Sequence, residues 1–141
     1  VLQHLFGDSG FGTQINATFV SGGDVEIDRY DTSRQFILPG LGDSSNFSLF
    51  YEDTKITARI ALNTRGETIA GFGNYDQPLY VEERNQWDLS MAYNINEDAV
   101  VFFEVQNLND EPTRLYARYE EMLFLSQDHG PIHRLGFRYK F

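Results

Sequence analysis

The chain has 141 residues, with 11 Lys and Arg against 21 Asp and Glu, a formal charge of −10, no cysteine and 15% aromatic residues. The length allows one domain, and the acidic balance argues against nucleic acid as a partner, because a phosphate backbone calls for a basic footprint. Absence of cysteine excludes disulfide scaffolds, thiolate zinc sites and cysteine nucleophiles, and no run of about 18 apolar residues is present to form a transmembrane helix.

Period-2 alternation dominates the chain. VLQHLF (1–6) reads as the tail of a strand whose start lies upstream, so the chain is read as a fragment of a longer protein. FGTQINATFVS (11–21) puts Ile15, Ala17 and Phe19 on one face and Gln14, Asn16 and Thr18 on the other. Residues 22–44 form a long acidic connection. A weaker strand, 45–52, carries Phe47, Leu49 and Tyr51. TKITARIALN (54–63) sets Ile56, Ala58, Ile60 and Leu62 against Lys55, Thr57, Arg59 and Asn63. A second long acidic connection covers 64–83. In RNQWDLSMAYN (84–94), Trp87, Leu89, Met91 and Tyr93 oppose Gln86, Asp88, Ser90 and Asn94. AVVFFEVQN (99–107) puts Val101, Phe103 and Val105 opposite Glu104 and Gln106, although Val100 and Phe102 blur the polar face. A third long connection covers 108–131. Within it, residues 114–125 fit either a strand extension or a short helix. The last ten residues give Leu135, Phe137, Tyr139 and Phe141 against Arg134, Arg138 and Lys140.

The connections alternate in length. Residues 7–10, 52–53 and 95–98 are tight and rich in turn formers. The long ones recur at every second connection, so all fall at one end of the sheet, and long connections are usually functional. Segments of about 10 residues joined in this way are the signature of a transmembrane β-barrel. The apolar faces carry no charge, aromatics sit near their ends, and the opposite faces hold Arg59, Asp88, Glu104, Arg134, Arg138 and Lys140, which suits a wet lumen. Ile15 through Phe137 on the apolar faces are therefore predicted to meet lipid. Six strands, or seven with the stub, fall short of the smallest single-chain barrels of about 8. Open edges in lipid would leave backbone groups unsatisfied. The predicted fold is thus all-β, an antiparallel transmembrane barrel of which this is the last arc. A soluble β-sandwich binding module, such as a lectin, is the alternative.

The chain ends Arg134-Leu135-Gly136-Phe137-Arg138-Tyr139-Lys140-Phe141. This resembles the C-terminal assembly signal of bacterial outer-membrane proteins at Arg134, Gly136, Tyr139 and Phe141. Such a strand end offers β-augmentation to a receptor in the assembly machinery. A wider resemblance follows from VLQHLFGDSGFGTQINATFV, from QWDLSMAYNINEDAVVFFEVQNLNDEP and from the RLGFRYKF ending. Together they resemble the last part of the barrel of TonB-dependent receptors, and FFEVQNLNDEP (102–112) is typical of that family. The resemblance covers essentially the whole chain and is strongest over 84–112 and 132–141. It implies residues 1–141 to be the C-terminal portion of a barrel of about 22 strands with a plugged lumen. It further implies residence in the bacterial outer membrane, short turns toward the periplasm, a plug domain upstream that contacts the TonB complex, and import of a scarce ligand such as a siderophore, cobalamin or an oligosaccharide. The stretch MLFLSQDHGP (122–131) is more apolar than an exposed loop warrants, which points to a last hairpin extending beyond the membrane.

Arg29, Tyr30, Arg34, Phe36, Phe72, Tyr75 and Tyr80 sit among polar residues in the long connections and are the candidate contacts to a small-molecule ligand. Aromatics stack on sugar rings or planar chelates, and the arginines suit anions. Packing within the loops is the competing reading for each. DVEIDRYDTSRQ (24–35) spaces carboxylates like a calcium loop but has Arg29 and Gln35 where that loop needs Gly and Glu. His129 and His133 are separated by Gly130 and Pro131, so no helix holds them on one face. Glu120 and Glu121 are adjacent, and on an extended chain they point to opposite faces. No nucleophile-elbow or phosphate-loop motif is present. No cofactor, metal or catalytic role is predicted.

Overall fold

A computed structural model describes residues 1–21, 27–31, 33 and 35–141. Among them the chain is all-β and antiparallel, with no α-helix. The strands are β1 (Leu2–Leu5), β2 (Phe11–Thr18), β3 (Ser44–Glu52), β4 (Ile56–Arg65), β5 (Thr68–Phe72), β6 (Pro78–Val81), β7 (Arg84–Asn94), β8 (Ala99–Gln106), β9 (Thr113–Ala117), β10 (Leu123–Gln127) and β11 (Ile132–Tyr139). A 3-10 turn at Asn74–Asp76 links β5 to β6.

Seven strands make one sheet in the order β1-β2-β3-β4-β7-β8-β11. The other four make a small sheet in the order β10-β9-β6-β5. The large sheet is a meander in which β4 and β7, and then β8 and β11, are neighbours because the small sheet is built from the excursions between them. Contacts between strands run along each sheet. Much of the large sheet's apolar face is exposed, Phe137 by 61%, so no second layer covers it among the described residues.

The segments predicted as strands are the strands of the large sheet, with the stub at 1–6 supplying β1. Two long connections differ from the prediction. Residues 64–83 contain β5 and β6, and the ambiguous 114–125 resolves into β9, a turn and the start of β10. These strands are short, and two of them are irregular. The register shifts between Ile69 and Gly71 in β5, and between Leu123 and Leu125 in β10. A bulge breaks the period of 2 on which the prediction depends.

The turns at the opposite end are closed by local hydrogen bonds. Asp53 Oδ1 accepts from the backbone N–H of Lys55 (2.6 Å) and of Ile56 (2.7 Å). Asn96 Oδ1 accepts from Asp98 N at 3.0 Å. Side-chain capping of this kind is why Asp and Asn suit tight turns.

Close backbone approach explains two glycines in the large sheet. Gly136 is opposite Phe102 and Gly12 is opposite Phe50. In each pair the ring lies over the glycine, and a Cβ at either glycine would run into it. An aromatic that covers a cross-strand glycine restores the packing surface a glycine lacks.

Candidate functional site

Strand register assigns every side chain of the large sheet to a face. One transverse row runs Leu49, Ile60, Leu89, Val105 and His133. The next runs Phe11, Tyr51, Ala58, Met91, Phe103 and Leu135. Ile56, Tyr93, Val101 and Phe137 make a third. Leu2, Ile15, Phe47, Leu62 and Trp87 make a fourth, toward the end with long connections. These rows contain no Asp, Glu, Lys or Arg. Leu49 is 46% exposed and Leu135 78% exposed.

The predicted lipid-facing residues therefore share one face, with two qualifications. Phe19 lies beyond β2, which ends at Thr18, so it is not on the sheet. The chain turns away there because the Val20 N–H is taken by Asp43 Oδ1 at 2.9 Å instead of by a neighbouring strand. Val105 is on the face by register but is only 2% exposed.

Aromatic rings concentrate toward the tight-turn end of this face. Phe11 and Tyr51 have centroids 4.7 Å apart, and Tyr139 contacts Phe137 at 6.4 Å and Phe141 at 5.1 Å. Trp87 and Phe47 sit toward the other end. Aromatic rings thus occur toward both ends of this face, and the row of Leu49, Ile60, Leu89 and Val105 between them carries none but His133.

The opposite face carries a hydrogen-bonded ladder across the strands. Asn46 Nδ2 donates to Asn63 Oδ1 (2.6 Å), and Asn63 Nδ2 donates to Asp88 Oδ2 (2.7 Å). Asp88 Oδ1 also accepts from Gln86 Nε2 (2.7 Å) and Asn107 N (3.0 Å). Arg59 donates to Gln14 Oε1 (3.0 Å) and to Ser48 Oγ (2.9 Å). Arg134 and Glu104 form an ion pair at 3.7 Å. Side-chain hydrogen bonds thus link β2, β3, β4 and β7 and reach Asn107 just past β8, with the β8–β11 ion pair separate from them, and Asp88 is the central acceptor.

The segment NLNDEP (107–112) is a structural turn. Asn107 and Asp110 take positive φ, 58° and 56°, a conformation Asn and Asp tolerate better than most residues. Leu108 N donates to Trp87 O (2.7 Å), while Asn109 Oδ1 accepts from Trp87 N (2.8 Å). Asn109 thereby extends the pairing of β7 past the end of β8.

The small sheet supplies a second locus. Tyr80 and Tyr116 stack at 5.2 Å with rings 17° from parallel. The Arg29 guanidinium covers Tyr80 at 4.9 Å and donates to Arg118 O at 3.2 Å. The Tyr116 hydroxyl donates to Glu67. Burial, with the adjacent Glu67 carboxylate, pushes the Tyr116 phenol well above its ordinary value.

Above this core a depression of about 600 Å³ is lined by Tyr75, Asp76, Gln77, Arg118, Tyr119 and Met122. Tyr75, Asp76 and Arg118 all take positive φ (60°, 52° and 60°). Non-glycine residues in this region cost about 1–3 kcal/mol each and cluster at binding sites. The Tyr30 ring meets Tyr119 edge-on at 6.4 Å.

The predicted ligand contacts are therefore divided. Tyr75 lines the depression and is 89% exposed, and Tyr30 is close by. Tyr80 is buried in β6, and Arg29 is engaged over it, so both serve packing. Phe72 lies in β5, paired with Pro78, instead of in a loop. Phe36 is exposed but lines no part of the depression. Arg34 lies outside the described residues. Arg118 and Tyr119 were missed because their turn falls in the stretch whose periodicity is ambiguous. The alternation places Asp88 on the polar face with Glu104 and four basic residues, and nothing in it sets Asp88 apart as the central acceptor.

Of the residues predicted to form an assembly signal, Arg134 pairs with Glu104, Gly136 seats Phe102 and Tyr139 ends β11. Phe141 lies past the strand, against Tyr139. Among the described residues no group of three or more His, Asp or Glu side chains converges to hold a metal. Compared with protein-family models, curated proteins and solved structures, the chain matches none.

Proposed function

We propose that this chain is an arc of an outer-membrane β-barrel transporter of the TonB-dependent kind, with its apolar face against lipid and its polar face lining the lumen. The observation that carries the reading is the large sheet: one face free of charge and open to the surroundings, the other bound by a polar ladder. In water, a sheet with one such face covers it with a second layer. The small sheet does not lie over it. Lipid is the cover that suits it. The central strands have the length, β3 with 9 residues, β4 with 10 and β7 with 11, while β2, β8 and β11 have 8; a tilted strand needs about 9–11 to cross a bilayer.

In this reading the tight turns face the periplasm and the small sheet stands outside the cell. The depression at Tyr75, Arg118 and Tyr119 is then the first place a small-molecule ligand meets the arc, and further strands complete the barrel. TonB coupling rests on the sequence resemblance alone, and would act through a plug outside this chain.

Fractionation of source cells with an antibody against residues 22–44 tests the proposal. The expected result is an outer-membrane band several times larger than the 16.2 kDa of this chain, whose mobility shifts on boiling. A soluble band of the chain's own size would overturn it. The soluble binding-module alternative would then be tested for carbohydrate binding.

A further inference from the structure

We propose that Arg65 and Arg84, which face each other across the β4–β7 pair on the polar side of the large sheet, form a binding site for the dianionic phosphoryl group of a phosphorylated sugar. The site lies on the polar face, so it stands whether lipid or water meets the apolar one.

Register places the pair. Arg65 and Arg84 are the outermost partners of β4 and β7, directly opposite one another at the end with the long connections. Side chains so paired leave the sheet on the same side, with Cβ atoms about 5 Å apart. Alternation puts both on the side of Asn63, Gln86 and Asp88. Like charges directly opposite destabilise a sheet. The chain carries 21 acidic residues against 11 basic ones, yet no acid neutralises this pair. The ion pairs among the described residues are Arg114 with Glu82 and Arg134 with Glu104.

The neighbouring acids have other partners. Asp43 accepts from Val20 N, Glu67 from the Tyr116 hydroxyl, and Asp88 from Asn63, Gln86 and Asn107. Glu83, next to Arg84 in the chain, pairs with neither arginine. Arg84 is half-buried, and its Nε is buried with no hydrogen-bond partner among the described residues. An unmade hydrogen bond costs most on a charged group. Arg65 is exposed, so an anion reaches the pair from solvent. Such an anion relieves the repulsion and supplies the missing acceptors together.

The arrangement selects the ligand. A carboxylate balances one guanidinium. A phosphate monoester carries nearly two charges and three acceptor oxygens, which serves two guanidinium forks, and arginine binds phosphate in a bidentate way. Neutral hydrogen-bonding groups surround the pair. Thr18 and Ser44 complete its row, and Asn16, Asn46, Asn63 and Gln86 form the next row on the same face. Amides and hydroxyls both donate and accept, as the hydroxyls of a sugar require.

Calorimetric titration of the full-length protein tests the site at about pH 7.5, where a phosphate monoester is close to doubly charged. Glucose 6-phosphate is expected to bind saturably and glucose is not. Arg65→Gln and Arg84→Gln should each weaken glucose 6-phosphate at least about tenfold, through loss of a charge-assisted contact. In phosphate-free buffer each variant should unfold no earlier than the parent, because it removes a repulsion. A variant that unfolds earlier would make the pair structural and overturn the proposal. Unchanged binding in both variants would overturn it too, as would succinate binding as tightly as glucose 6-phosphate. Dihexanoyl phosphatidate separates the two sources of the phosphoryl group. Tighter binding of glucose 6-phosphate assigns it to a soluble solute, whereas binding of the phosphatidate alone would keep the phosphoryl site and assign it to a lipid headgroup. Binding of neither would overturn the site.

Discussion

The two sheets solve the same problem in opposite ways. The small sheet buries its own core: Pro78, Tyr80, Tyr116 and Ala117 are enclosed, and Arg29 covers the stacked rings. The large sheet has longer strands and far more apolar surface, yet among its apolar side chains only Ala99 and Val105 are fully buried. On the proposed membrane reading the difference follows from where each sheet finds its cover: the small one in the chain itself, the large one in lipid on one face and in the ladder centred on Asp88 on the other.

If the small sheet is self-supporting, removing its centre should open it alone. Tyr80→Ala deletes the ring held between Tyr116 and Arg29, and truncating a buried aromatic costs about 3–5 kcal/mol. The expected outcome is protease cleavage within 66–83 and 113–127 while the strands of the large sheet stay protected. Loss of protection in both sheets together would show that they fold as one unit.

The apolar face gives the next largest effect. Ile60→Arg or Leu89→Arg should cost about 2–4 kcal/mol in a bilayer, if these side chains lie near mid-membrane. Ser90→Arg, one residue along on the polar face, should be tolerated. Equilibrium unfolding from lipid vesicles measures the three. Equal costs would erase the distinction between the faces.

The large sheet was legible from sequence because its strands are long and keep strict alternation over Ile56–Leu62 and Trp87–Tyr93. The small sheet was hidden. Its strands span four or five residues, and bulges in β5 and β10 shift the phase midway. The site was less legible still. Tyr116 meets Glu67 across 49 residues of sequence, and Arg29 meets Arg118 across 89. No local pattern announces such pairings, so Tyr80 and Arg29 looked like loop residues free to bind. Gly136 was read only as a position in a terminal motif. Its seat for Phe102 became visible through the register of β11 on β8.

That seat makes a smaller, sharper test. Gly136→Ala drives a methyl into the Phe102 ring, and overpacking of this kind costs about 1–3 kcal/mol. Phe102→Leu in the same protein should recover most of the loss. If the double variant is no better than Gly136→Ala, the glycine serves some purpose other than seating the ring. Asp88→Ala should cost a similar or smaller amount, about 1–3 kcal/mol, by leaving donors of Asn63, Gln86 and Asn107 unpaired. It should act across β4, β7 and β8, seen as faster amide exchange there.

The smallest effect belongs to the end of the large sheet remote from the small one. Asp53 accepts hydrogen bonds from the backbone N–H of Ile56, from the Tyr51 hydroxyl and from the backbone N–H of Lys55, and these hold its carboxyl below the ordinary carboxylate value. A depressed folded pKa contributes stability that is present above the unfolded value of about 3.9 and is lost as pH falls through the lower folded one. Asp53 is fully exposed, so the turn should loosen only slightly on acidification. Amide exchange at Lys55 and Ile56 should quicken below that range, while β5 and β6 do not respond. In Asp53→Asn the amide carries no titrating charge but still offers an oxygen to the same donors, so the turn persists and its pH response vanishes. A response that survives the substitution would assign the titration to another group and remove the distinction drawn between the two ends.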